Sequence, residues 1–171
     1  RFHALEIPHE VVLPSRRLPE NWRQVLEAAP SQLLRLVEAA DSAIRPLSST
    51  RGCLLHGDLF PDNMIWDELG SLQILDWETA SMDRPELDLG FTLVGLTAGA
   101  PLSRFTIDSL MAGYSWGDPP ELRDILAGAH YACAVLAFHR YNRHVVRFPD
   151  PAKAGFWRLL LPFARSLGSL Q

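Results

Sequence analysis

The chain has little of several things on which protein chemistry is commonly built. Among 171 residues there is one lysine, Lys153, and there are two cysteines, Cys53 and Cys133. Two cysteines in apolar settings supply neither a disulfide framework nor the paired spacing of a zinc site. A reducing cytoplasm is the expected compartment. No apolar run reaches the roughly twenty residues that a spanning helix needs. The longest weakly polar stretch, Leu89 to Leu102, is broken by Gly90, Gly95, Gly99 and Pro101, so no membrane partner is expected. Repeats and low-complexity tracts are absent. A net charge of −4 offers no general attraction to a polyanion, and nucleic acid drops out as an expected partner. The chain opens at Arg1 without an initiating methionine, which suggests a piece processed or cut from something longer.

What is present is an ordinary globular composition, 47% hydrophobic and 21% charged, on a length suited to one domain with a single core. Pro8, Pro14 and Pro19 with the pair Arg16-Arg17 read as an extended connector. Helical spacing of apolar residues follows over Glu20 to Ala29 and over Ser31 to Ile44, with Ser31 as N-cap and Pro46 marking the end. These predict a helical hairpin. Short apolar runs at Cys53 to Leu55, Met64 to Trp66 and Ser71 to Leu75, with a turn at Asp67 to Gly70, predict strands. From Leu87 onward the pattern is helical: Leu87 to Leu96, Ser103 to Tyr114, Pro120 to Val146 and Pro151 to Leu167. The expected fold class is α+β and mainly helical, with a short β-hairpin carrying the central loop. Residues 1–50 would form the connector and helical hairpin, 51–90 the chemical segment and 91–171 a helical substrate-side part.

The chemistry is concentrated in His56-Gly57-Asp58-Leu59-Phe60-Pro61-Asp62-Asn63 and in Asp76, thirteen residues past Asn63. Phosphoryl transfer needs an acceptor hydroxyl aimed at phosphorus and metal ions that neutralise the phosphate oxygens. On a compact turn, Asp58 can face a hydroxyl while Asn63 faces a cation, and Asp76 can complete the cation site. Hard oxygen donors of this kind suit magnesium. An isolated aspartate of this sort would more simply be a turn former; the wider motif context tips the reading to chemistry.

The octapeptide, with Leu75-Asp76-Trp77-Glu78 and Asp83-Arg84-Pro85-Glu86-Leu87-Asp88-Leu89-Gly90, resembles the aminoglycoside phosphotransferase and choline kinase family of small-molecule kinases. The opening Phe2-His3-Ala4-Leu5 is similar to a stretch that follows that family's nucleotide-binding lobe. The resemblance implies a protein-kinase-like C-terminal lobe with the N-terminal nucleotide lobe missing, ATP and magnesium as co-substrate and cofactor, and a small-molecule hydroxyl as acceptor. It implies that Asp58 is the base or orienting group and that Asn63 and Asp76 hold metal. His56 would be a scaffold beneath the loop, and Asp88 its brace. Ile65 would lie under the adenine ring or, equally, in plain core, and Glu78 would support either a second ion or the loop. The absence of a lysine upstream of the loop fits a missing nucleotide lobe, since kinases hold phosphates with one. It also fits a rival reading, a non-catalytic binding or regulatory module. A third, a metal-dependent hydrolase on His56, Asp58 and Asp76, lacks further ligands nearby. Arg140, Arg143, His144 and Arg147, spaced i, i+3, i+4 and i+7, predict a basic stripe on one helix face, opposite a core face of Leu122, Ile125, Ala129, Cys133 and Leu136. Trp22, Trp66, Trp116 and Trp157 are expected to be packing.

Overall fold

A computed structural model describes residues 13, 15–45, 52–115 and 118–170. It is mainly helical, with two small antiparallel sheets. The expectations placed on Phe2 to Pro8, Pro46 and Trp116 lie outside the described residues.

A one-turn helix α1 (Trp22–Val25) precedes α2 (Ser31–Ile44). The first expected helix is therefore only a turn, closed off where Leu26 leaves the helical run. Helix α2 has the expected bounds, but its cap is Pro30, and no side chain serves as N-cap. Proline just before the first turn costs nothing, because its missing N–H would have had no helical partner. Leu33, Leu36, Val37, Ala40 and Ile44 are buried on one face, each full burial of a large aliphatic being worth roughly 1.5–3 kcal/mol.

Strands β1 (Cys53–Leu55), β2 (Met64–Trp66), β3 (Leu72–Ile74) and β4 (Ser81–Asp83) make two separate pairs. The hairpin β2–β3 sets Met64 opposite Ile74, Ile65 opposite Gln73 and Trp66 opposite Leu72. Its turn is closed by the Asp67 carboxylate, which accepts the amides of Leu69 at 2.9 Å and Ser71 at 2.7 Å. Strand β1, expected to flank the loop as part of the hairpin, pairs instead with β4, Leu54 opposite Met82. The loop is thus slung between two sheets.

Helices α3 (Pro85–Thr97), α4 (Arg104–Ala112), α5 (Leu122–Tyr141) and α6 (Leu161–Leu167) complete the fold. Helix α3 is apolar nearly all round and buried from Glu86 to Val94, as suits a helix covered on every side. It lies against α5, with α2 on α5. The crossing is set by glycine: a Cβ on Gly128 would run into the Glu86 carbonyl, and one on Gly90 into the Gly128 peptide, with Ala129 N at 2.7 Å. The two backbones approach as closely as they do because neither glycine has a side chain. The thiols of Cys53 and Cys133 are both buried, and burial pushes each up to about 12.

The long expected helix Pro120 to Val146 is α-helical only to Tyr141; Asn142–Arg147 widens into a π turn. That change of pitch breaks the expected basic stripe, which assumed 3.6 residues per turn throughout. Arg140 is half-buried, Arg143 is exposed and Arg147 stacks over Phe148. The core face stands: Ile125, Ala129 and Cys133 are buried, with Leu122 and Leu136 packed against them. Trp22 and Trp157 are buried, whereas Trp66 is 68% exposed at the end of its strand. Among the described residues no helix is long and apolar enough to cross a membrane.

Candidate active site

Leaving β1, the chain turns at Gly57, whose φ of +77° lies in the left-handed region that favours glycine. A Cβ there would meet Thr79 O at 2.8 Å and the Arg16 side chain at 3.1 Å. The amides of His56 and Gly57 donate to the two carboxylate oxygens of Asp88, at 3.2 and 2.8 Å. Asp88 is buried in the first turn of α3, so the loop is tied to the most deeply packed helix. Losing such an acceptor would leave each buried amide short by roughly 1–3 kcal/mol.

His56 is fully buried and spends both ring nitrogens on the protein. Its Nδ1 accepts the Asp58 amide at 3.3 Å and its Nε2 donates to Leu75 O at 2.8 Å, which requires the neutral Nε2-protonated tautomer. The ring meets Trp77 edge-on, centroids 4.7 Å apart. Thr79 donates its hydroxyl to His56 O at 2.9 Å. A histidine so committed has no lone pair for a metal. Among the described residues no three His, Cys, Asp or Glu side chains gather at one point. The hydrolase reading built on His56, Asp58 and Asp76 thus loses its ligand set.

From Asp58 the loop closes on itself. Asp58 O accepts Phe60 N at 2.7 Å, and Asn63 N donates to Phe60 O at 2.9 Å through a 3₁₀ turn, Pro61–Asn63. Asp62 lies exposed on that turn. The Asn63 amide nitrogen donates to Asp58 O at 2.8 Å and approaches Asp58 Oδ2 at 3.3 Å. With Nδ2 turned toward Asp58, Asn63 Oδ1 is the atom left over, and it has no partner among the described residues. Leu75 N donates to Asn63 O at 2.9 Å, adding one more rung to the hairpin and fixing Asp76 just past it.

Asp76 is exposed and held at φ +58°, ψ +66°. Among non-glycine residues aspartate is one of the few that tolerate this region. Immediately afterwards Trp77–Thr79 forms a 3₁₀ turn, and Trp77 Nε1 donates to Ile74 O at 3.0 Å. Such strain concentrates where function needs a particular side-chain direction. Glu78, one residue on, is exposed as well.

Side chains alternate along a strand, so Asn63, Ile65, Gln73 and Leu75 share the outer face of the hairpin. Ile65 is 51% exposed and Leu75 43%, so the plain-core reading of Ile65 does not hold. The inner face, Met64, Leu72 and Ile74, lines an apolar cavity of about 460 Å³ against α3 and α4.

Arg16 was not expected at the site. Its Nη2 donates to Gly57 O at 2.7 Å and its guanidinium stacks over Phe91, 4.9 Å from the ring centre. Burial lowers the Arg16 pKa, while Asp58 and Asp88 act to raise it. Burial likewise raises the Asp58 carboxyl; Arg16 and the Asn63 bond pull it back down, and Asp62 pushes it up. Arg17 clamps the same connector to β4 through a two-pronged pair with Asp83, at 2.6 and 2.7 Å. The adjacent arginines between two prolines were the available signal. Nothing local in sequence says that they fold back onto Gly57 and Asp83.

A carboxylate beside an amide group on a loop anchored to the core can take a proton from a hydroxyl, and the amide oxygen, with the exposed Asp76 carboxylate at the end of the adjoining hairpin, offers hard oxygens to a cation. The chain belongs to the phosphotransferase enzyme family, whose model matches residues 1–125. Among solved structures it is similar to the choline kinase LicA from Streptococcus pneumoniae, at 17% identity and a TM-score of 0.64, over 88% of this chain and 53% of that one. LicA in complex with AMP matches at 17% identity and TM-score 0.61, covering 91% and 55%. A choline/ethanolamine kinase family protein from Mesorhizobium loti matches at 18% and 0.51, covering 90% and 51%. At these identities the likeness is one of fold, and the chain spans about half the length of those structures. No curated protein sequence matches it.

Proposed function

We propose that this chain is the C-terminal, catalytic lobe of an ATP- and magnesium-dependent phosphotransferase acting on a hydroxyl of a small molecule. The observation that carries the reading is the lock between Asn63 and Asp58. It turns the amide nitrogen inward and leaves Asn63 Oδ1 as an uncommitted hard donor, with the exposed Asp76 one residue past the rung from Leu75 N to Asn63 O. Membership of the phosphotransferase family supports it.

Asn63 and Asp76 would hold magnesium, whose donor preferences this oxygen set fits. When bound, the ion supplies charge neutralisation on the nucleotide phosphates. Asp58 orients the acceptor hydroxyl and takes its proton as the new oxygen–phosphorus bond forms and the bond to the departing nucleoside diphosphate breaks. Arg16 and Asn63 hold that carboxylate ionised against the effect of burial. Asp88 fixes the loop amides, so the aim of Asp58 is set before substrate arrives. Ile65 and Leu75, apolar and exposed beside Asn63, suit the face of a nucleobase, with a second lobe in cis closing over it. The one lysine, Lys153, pairs with Asp150 at 3.3 Å and does not substitute for a phosphate-binding lysine of that lobe.

The test is magnesium-dependent ADP release by the intact protein over a panel of hydroxylated small molecules. Asp58→Asn should lower kcat by about 10² to 10⁴. Nucleotide binding without turnover on any acceptor would favour the non-catalytic module instead.

A further inference from the structure

Beside the loop lies a second cleft, of about 370 Å³, within the range that encloses small molecules. One wall is Phe60, Pro61 and Asp62, three of the four residues between Asp58 and Asn63. The other is Gly95 of α3, Gly99 just past that helix and Arg140 from the last turn of α5. Gly95 makes this arrangement possible. A Cβ there would run into the Phe60 ring, with Cγ at 2.8 Å, so the bare backbone lets the loop lie directly against α3.

Arg140 is the informative member. It is half-buried, and burial holds its guanidinium below the ordinary arginine value. Among the described residues no carboxylate pairs with it. Its one side-chain hydrogen bond runs from Nη1 to Phe156 O at a long 3.3 Å, which leaves most of its five N–H donors unused. A cation taken partly out of water without a counter-ion is costly, and an anionic ligand would recover that cost. Asp62 carries the opposite charge on the same cleft, but it is exposed, where water screens it far more than it screens Arg140.

We propose, resting on the phosphotransfer reading, that this cleft receives the acceptor and that Arg140 selects one bearing an oxyanion, a carboxylate or a phosphate, in addition to the hydroxyl that is phosphorylated. The planar fork of a guanidinium matches both groups through paired hydrogen bonds. An acceptor with a cationic group meets like charge at the same place.

The experiment compares glycerol, glycerate, glycerol 3-phosphate and choline as acceptors for the intact protein with magnesium and ATP, with calorimetric titration of the two anions alongside. The KM for at least one anion should lie about tenfold or more below that for glycerol. Whether glycerate or glycerol 3-phosphate shows the drop tells carboxylate from phosphate. Arg140→Met should erase the difference, and Arg140→Lys, which keeps charge but not the fork, should retain part of it. A preference for choline or glycerol, or a preference for the anion that survives Arg140→Met, overturns the proposal. If no acceptor is phosphorylated, the phosphotransfer reading falls and the titration decides the cleft alone. Heat with an anion that disappears in Arg140→Met upholds the anion site, and no heat with the unsubstituted protein overturns it. A melting scan shows whether Arg140→Met folds; if it does not, Arg140→Gln takes its place in the same titration.

Discussion

Asp58 sits between opposing influences, and their balance can be read in a pH profile. Burial raises its carboxyl above the ordinary 3.8, and Arg16 is the first of the groups that lower it again. The ionised form accepts the proton, so kcat/KM falls as pH drops through this pKa. Arg16→Met removes the opposing charge, and the acid limb should move to higher pH; Arg16→Lys should leave it nearer its original place. An acid limb that Arg16→Met does not move would show that Asp58 is not the titrating group. The stability sign is fixed by the same shift. A carboxyl raised in the folded state binds its proton more tightly there than in the unfolded chain. Its contribution is therefore most favourable below the unfolded pKa and is lost as pH rises through the folded one. Ionised Asp58 destabilises the fold at neutral pH, and Asp58→Asn should melt higher than the parent protein while losing activity, a trade common at functional sites. Asp58, Asn63 and Asp76 were singled out as a set by motif context, the resemblance of three ordered segments to a kinase family. Arg16 was not, because 41 residues separate it from Gly57 and no local pattern encodes that contact.

At the scale of elements, legibility followed the range of the forces involved. Helix α2 was readable to the residue because its apolar face repeats at helical spacing, and β1 and β2 were readable because short apolar runs border the loop. Strand β4 was missed: Ser81, Met82 and Asp83 have no strand-like pattern and are extended only because β1 pairs with them. The π turn after Tyr141 and the left-handed Asp76 were missed for a similar reason, since tertiary packing decides both. The crossing of α3 and α5 gives a direct test of such packing. Gly128→Ala would place a methyl against the Glu86 carbonyl, backbone that cannot swing aside. The helices must separate, at a cost of about 1–3 kcal/mol or more, against a helix-propensity gain of roughly 1 kcal/mol. Urea unfolding should show a lower midpoint with unchanged slope. Gly155→Ala, where the nearest atom to a Cβ is the Arg158 guanidinium at 3.7 Å, should leave the midpoint near that of the parent. A stabilised Gly128→Ala would mean that the two helices do not approach as described.

For the molecule as a whole, apolar surface is divided unevenly. The helices bury most of theirs in one core around α3 and α5, with exceptions such as Phe105, while the hairpin leaves Ile65 and Leu75 open on its outer face and Trp66 open on the other. The outer-face pair Ile65 and Leu75 forms exposed apolar surface of a kind that often marks a binding face, and it adjoins Asn63 and Asp76. If that face receives a nucleobase, Ile65→Thr with Leu75→Thr should raise the KM for ATP in the intact protein while leaving kcat on saturating ATP much less affected. At Ile65, in β2, threonine keeps the β-branched shape that strands favour. Both side chains are already about half solvated, so the melting temperature should move little, and binding of a hydrophobic dye to the chain should fall. A large drop in melting temperature would mean the pair belongs to the core. An unchanged KM for ATP would mean that the base lies elsewhere, and the magnesium donors would then need a nucleotide approaching from the inner side, where Met64, Leu72 and Ile74 already face α3 and α4 across the apolar cavity.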